Sequence, residues 1–137
     1  MKAGVRTAFF TIAITMLLAT SALAQGSRLL VDIPFDFNVG DVKMSSGKYT
    51  IKALSATTLQ IKSADSDRAV VSVSNIAASP QDLKASQLVF TQYGNRYFLS
   101  SVDWFKGSSR ELPRTRLEAQ AARNIGGRQR IQVSTRN

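Results

Sequence analysis

Apolar residues recur at every second position along much of this chain. Val31, Ile33, Phe35, Phe37 and Val39 alternate with Asp32, Pro34, Asp36 and Asn38. A two-residue period sends successive side chains to opposite faces, so the pattern predicts one half-buried β-strand over 31–39. Pro34 has no amide hydrogen to donate, which places this strand at an edge or at the start of a sheet, with Pro34 facing outward. Gly40-Asp41 ends it, and Ser45-Ser46-Gly47 reads as a turn. Alternation resumes through Tyr49, Ile51 and Ala53 over 48–53, through Leu59 and Ile61 over 58–62, and through Ala69, Val71 and Val73 over 69–74. Residues 64–67 form a tight polar connection, and 77–85, with Ser79-Pro80 and two charges, reads as a loop.

The sharpest local signal is a hairpin. Residues 87–93 and 96–102 are β-formers on either side of Gly94-Asn95. A glycine first in a two-residue loop suits a type II′ turn, whose twist matches that of the flanking strands. That turn sets a register: Tyr93 opposite Arg96, Phe90 opposite Leu99, Leu88 opposite Ser101. Leu88, Phe90, Tyr97 and Leu99 then share one face, and Val89, Phe98 and Val102 the other. Apolar groups on both faces predict a hairpin that is central in its sheet or lies under a covering element. Trp104 and Phe105 close the last of these strands and read as a core plug. Six short strands with polar turns predict a mainly β fold, a small antiparallel β-sandwich or partly open barrel.

The end of the chain differs. Thr115-Arg116-Leu117-Glu118 fits a capping box, Pro113 precedes it, and Gly126-Gly127 stops the pattern. Leu117, Ala121 and Ile125 share one helical face, with Arg116, Gln120 and Arg123 on the opposite side. A short C-terminal helix of about ten residues follows, docked by a thin apolar stripe. Ile131 and Val133 make 130–134 either a last strand or a disordered end.

Residues 1–24 read as a secretory signal peptide. Lys2 and Arg6 are followed by an apolar run over 8–18, and Ala22 and Ala24 are small residues at the positions a signal peptidase reads, leaving Gln25 first. The run falls short of the ~20 apolar residues a membrane span requires, so no transmembrane span is expected after cleavage. No Cys follows the run and no Arg-Arg pair precedes it, which argues against a lipoprotein or twin-arginine leader. The expected location is periplasmic or secreted. The chain then divides into a β domain over 25–105 and a basic C-terminal helix and tail over 106–137.

Charge follows that division. Residues 25–105 hold eight basic and seven acidic side chains. Residues 106–137 hold Lys106, Arg110, Arg114, Arg116, Arg123, Arg128, Arg130 and Arg136 against Glu111 and Glu118 alone. Guanidinium forks bind phosphate and carboxylate in pairs of hydrogen bonds, and clustered forks favour anionic polymers or lipid headgroups. Arg110, Arg114, Arg116, Arg123, Arg128 and Arg130 are therefore the candidate contact residues. Specific nucleic-acid binding is not expected, because no aromatic residue follows Phe105 to stack on bases.

Catalytic patterns are sparse. The chain has no His and no Cys, which removes Ser-His and Cys-His nucleophiles and disulfides. Ser45-Ser46-Gly47-Lys48 has serine–lysine spacing, but it lies in a turn before a strand, where the amine is not one helical turn from the hydroxyl. Asp65 and Asp67 lack the further oxygens of a calcium loop. Asp32 and Asp36 would lie ~13 Å apart along a strand, too far to act as a pair. The expectation is a non-enzymatic binding or accessory protein of the cell envelope, without cofactor or metal. The alternative is an assembly subunit that pairs with itself or another envelope protein through an edge near Ile33–Phe37 or Ile131–Val133.

The order of motifs adds a resemblance. Pro-Phe-Asp-Phe-Asn-Val-Gly at 34–40, Ser-Gly-Lys-Tyr-Thr-Ile at 46–51, Leu-Val-Phe-Thr-Gln-Tyr-Gly-Asn-Arg-Tyr-Phe-Leu at 88–99 and Arg-Glu-Leu-Pro-Arg-Thr-Arg-Leu-Glu at 110–118 occur in sequence. Together they resemble a group of short exported bacterial β-rich proteins with no assigned activity. The resemblance covers about residues 30–120. It implies export and a β-rich domain, and it carries over no catalytic residue.

Overall fold

The computed structural model describes residues 28–135. The expected cleavage residues Ala22 and Ala24, and Arg136, lie outside them. The fold is mainly β with one short helix, built from two sheets of which one is a curled half-barrel. The first sheet is antiparallel, in the order β1 (Arg28–Ile33), β4 (Gly47–Ser55), β5 (Thr58–Ser63), β6 (Ala69–Val73). The second runs β11 (Gln129–Ser134), β8 (Gln87–Tyr93), β9 (Arg96–Asp103), β10 (Ser109–Glu111), β7 (Asn75–Ala77). Two short strands, β2 (Phe37–Val39) and β3 (Val42–Met44), attach to it where β2 runs parallel to β9 at Asn38–Phe98.

The alternating segment 31–39 is therefore two strands and not one. The chain leaves the first sheet after Ile33, passes through Pro34–Asp36, and enters the second at Phe37. Its period survives the crossing because both halves bury into the same space. Val31 and Ile33 come from one sheet and Phe37 and Val39 from the other, and all four are core residues. The Asp36 carboxylate accepts the Ser46 amide at 2.8 Å and holds the crossing against the turn before β4. Beside it, the buried Tyr49 hydroxyl donates to the Ser45 carbonyl at 2.6 Å, and burial pushes that phenol above its ordinary pKa.

Between the sheets lies one apolar core. Ile33, Ile51, Leu59 and Ile61 face Leu88, Phe90 and Val102, all at 0% exposure. Phe90 is its aromatic centre, edge-on to Phe35 at 5.0 Å and to Phe37 at 5.5 Å between ring centroids. Apolar packing of this kind carries the stability of a chain that lacks cysteine.

The β8–β9 hairpin turns at Gly94-Asn95 as expected, with Tyr93 opposite Arg96 and Phe90 opposite Leu99. Gly94 has φ +60°, the left-handed value its place in the turn demands. Further along, the expected register fails. Leu88 pairs with Val102 rather than Ser101, because Ser100 is an extra, unpaired residue between Val89–Ser101 and Phe90–Leu99. A bulge reverses which face the following residues occupy. Val102 and Trp104 thus join Leu88 and Leu99 in the core, on the face opposite to that expected for Val102. Trp104 does act as a core plug, whereas Phe105 is 46% exposed and does not.

The helix, α1 (Arg116–Ile125), covers the outer face of the hairpin. Thr115 caps it by accepting the Glu118 amide, and Gly126 ends it in the left-handed conformation. Leu117 and Ala121 pack on Tyr93 and Phe98. Ile125, expected on the same stripe, is 44% exposed and lies over Gly94 instead. Residues 75–77 and 109–111, unassigned to strands by pattern, pair with each other at the sheet margin, and 129–134 forms a strand against β8. Of the two edges expected to be open, β1 and β11 are terminal strands that lie against each other. The opposite edge of the first sheet is β6.

Candidate functional site

Alternation in β11 sorts its residues. Ile131 pairs with Phe90 and turns toward the core, while Arg130 pairs with Thr91 and takes the opposite face, beneath the helix. Arg128 lies two residues earlier, on the same side. Across the sheet, β10 does the same: Arg110 pairs with Val102 on the core side, and Glu111 pairs with Ser101 on the helix side. The helix contributes Glu118 from its first turn, with Arg114 just ahead of it.

These placements enclose a groove of about 300 Å³. Arg114, Arg128 and Arg130 line it together with Glu111, Glu118 and Leu112, over a floor of Thr91, Ser100 and Ser101. The floor is polar beside the buried apolar residues Val89, Phe90 and Leu99 of the same hairpin. The Thr91 and Ser100 hydroxyls bond each other. Ser101 is 6% exposed, and its Oγ is buried without a hydrogen-bond partner.

One wall is held rigidly. Arg114 Nη2 donates to the Tyr93 hydroxyl at 2.7 Å, and that hydroxyl donates to Glu118 Oε1 at 3.2 Å. Arg114 Nε also stands 3.9 Å from Glu118 Oε1, and its guanidinium lies over the Tyr93 ring. The hydrogen bond to Tyr93 is the main reason Arg114 is held above its ordinary pKa, with the charge of Glu118 adding to it. Glu118 is thereby drawn away from the cap: only the Thr115 half of the expected capping box forms.

Of the six candidate arginines, the groove gathers Arg114, Arg128 and Arg130. Arg116 and Arg123 are exposed on the outer side of α1. Arg110 is 9% exposed, and its Nη1 donates to the Ala56 carbonyl, so it faces away from the groove and is not a surface contact. The serine–lysine match stays a turn, with Ser46 bonded to Asp36 and Lys48 opposite Asp32 on β1. Asp65 and Asp67 gather no further ligands, and no group of three acidic side chains suited to a metal occurs among the described residues.

Sequence reasoning missed Thr91, Ser100, Ser101 and Glu111. The available signal was Ser100-Ser101, two adjacent polar residues that interrupt a strand apolar on both faces. The groove offers a cationic wall that only donates hydrogen bonds, carboxylates that only accept, and hydroxyls that do both. Such a set can meet a ligand that carries both an oxyanion and hydroxyl groups. No family model, no curated protein and no solved structure matches this chain.

Proposed function

We propose that this is an exported, non-enzymatic binding protein of the cell envelope that takes an anionic group into the groove beneath α1. The observation that carries the reading is the convergence of Arg114, Arg128 and Arg130 on one cavity. Arg116 and Arg123 are exposed on the outer side of α1 and add positive charge outside the groove. The leader-like 1–24 segment and the resemblance to short exported proteins support the envelope as the setting. The absence of His and Cys from the whole chain supports a binding role over catalysis.

Heparin retention tests the reading. The chain 25–137 is expected to bind a heparin column and elute with added salt. Arg128→Gln/Arg130→Gln is expected to elute earlier and to lower the salt slope of binding by about two, one for each lost contact. Equal elution of both proteins refutes a role for the groove arginines.

A specific feature favours a second reading, assembly through β6. This strand pairs with β5 on one side only, its sequence Ala-Val-Val-Ser-Val carries no charge or proline, and Val71 and Val73 are 59% and 62% exposed. An edge without these guards pairs readily with another strand. Light scattering is expected to show mass rising with concentration, and Val71→Lys is expected to abolish the rise. A constant monomer mass at high concentration rules this reading out.

A further inference from the structure

Ser101 poses a question that anion binding alone leaves open. Buried hydroxyls are nearly always hydrogen-bonded, and one that is not calls for an explanation. Its Oγ is buried and unpartnered, on the floor of a groove whose walls carry both signs of charge. A simple anion is met by the arginine forks and has no use for a buried hydroxyl or for Glu111. A densely charged polymer also reaches the exposed Arg128 and Arg130, but it leaves Glu111 and the Ser101 hydroxyl without a partner. What fits the whole set is a molecule that is acidic at one end and hydroxylated at the other.

We infer that the groove binds a single acidic sugar unit, with its carboxylate or phosphate on Arg128 and Arg130 and its hydroxyls on Ser101 and Glu111. The inference rests on the anion-binding reading of the same groove and narrows it to a ligand class. The polarity of the site matches in each part. Guanidinium forks pair with the planar or tetrahedral oxyanion. The Glu111 carboxylate, exposed on β10 beside Ser101, accepts from sugar hydroxyls. Ser101 both donates and accepts, and a sugar hydroxyl satisfies it. A volume of about 300 Å³ is at the small end of ligand pockets, the scale of one sugar ring rather than a run of polymer. Arg114 is already committed to Tyr93 and Glu118, so it frames the site and leaves the direct charge contact to Arg128 and Arg130.

The test is a titration of ¹⁵N-labelled chain 25–137, followed by amide shifts, with glucuronate, glucose 6-phosphate, methyl glucoside, acetate and inorganic phosphate. Saturable shifts at Thr91, Ser101 and Arg130 are expected with both sugar acids, and about ten-fold weaker binding with the neutral sugar or either bare anion. Saturation with glucuronate alone assigns the acid as carboxylate, and with glucose 6-phosphate alone as phosphate. Ser101→Ala is expected to weaken the sugar acids about five- to ten-fold, the loss of one hydrogen bond. Arg130→Gln is expected to weaken both sugar-acid binding and heparin retention. Acetate or phosphate binding as tightly as the sugar acids overturns the inference and leaves the anion-binding reading standing. Equal binding of methyl glucoside overturns it as a charge-independent site. No response to either sugar acid, with heparin retention intact, overturns the inference alone; loss of heparin retention as well removes the reading beneath it. A Ser101→Ala protein that binds the sugar acids as tightly as the parent also overturns it.

Discussion

Phe90→Ala is expected to lower the free energy of unfolding by about 3–5 kcal/mol, the range for emptying a fully buried aromatic site. Phe90 is 0% exposed and sits where the sheets meet, edge-on to both Phe35 and Phe37. Truncation removes its transfer free energy, two aromatic contacts, and the packing around a cavity that β-sheets on both sides cannot collapse to fill. A domain of this size is stable by roughly 5–15 kcal/mol, so one substitution spends a large part of the total. Guanidinium unfolding followed by Trp104 fluorescence measures it, since Trp104 lies in the same core. A midpoint nearly equal to that of the parent shows that the two sheets are not packed through Phe90. Phe90→Leu, which fills more of the space, is expected to lose distinctly less.

The second large effect is expected at Asp103, which is 2% exposed. Its carboxylate accepts from Ser109 Oγ and, at 3.0 Å, from Gln87 Nε2, and no cation stands within 4 Å of it among the described residues. Those hydrogen bonds link β9 to β10 on one side and to β8 on the other. Asp103→Ala removes both acceptors and leaves the Ser109 hydroxyl, in a residue 3% exposed, without a partner. Hydrogen bonds to a charged group contribute about 1.5–3 kcal/mol, so a loss of about 2–4 kcal/mol is expected for this pair. Relief of the desolvation of the carboxylate opposes it, and a variant as stable as the parent shows that desolvation wins. The effect reaches the groove, because β10 carries Glu111 and is only three residues long. Asp103→Ala is therefore expected to weaken sugar-acid binding as well, while Asp103→Asn, which keeps one acceptor, retains more of both properties.

How far each feature was legible depended on whether its cause was local. Gly94-Asn95 specifies a two-residue loop through the backbone of Gly94 itself, and Thr115 and Gly126 specify helix ends within one turn, so hairpin and helix lie where the pattern places them. The Ser100 bulge has no such cause. No glycine or proline marks the position, and the extra residue is admitted because it turns Val102 and Trp104 into the core behind Leu99. The break between β1 and β2 was hidden by the period that exposed them, since two sheets facing one core alternate alike. Strands β7 and β10 are three residues each, too short for a period, and exist through pairing with each other and with β9. At the site, the arginines were visible as a charge excess, and the hydroxyl floor was not.

The sequence by itself determined a cysteine-free, mainly β domain with a capped helix and an arginine-rich end, because alternation, turn glycines and caps act between near neighbours. Only the tertiary structure decided which arginines act together. Pairing of β11 with β8 brings Arg130 beside Thr91, pairing of β10 with β9 brings Glu111 beside Ser101, and the same pairing turns Arg110 away to the Ala56 carbonyl. Register between strands far apart in the chain assigns each side chain its face, and a shift of one residue in either pair would exchange the groove's residues for those of the core.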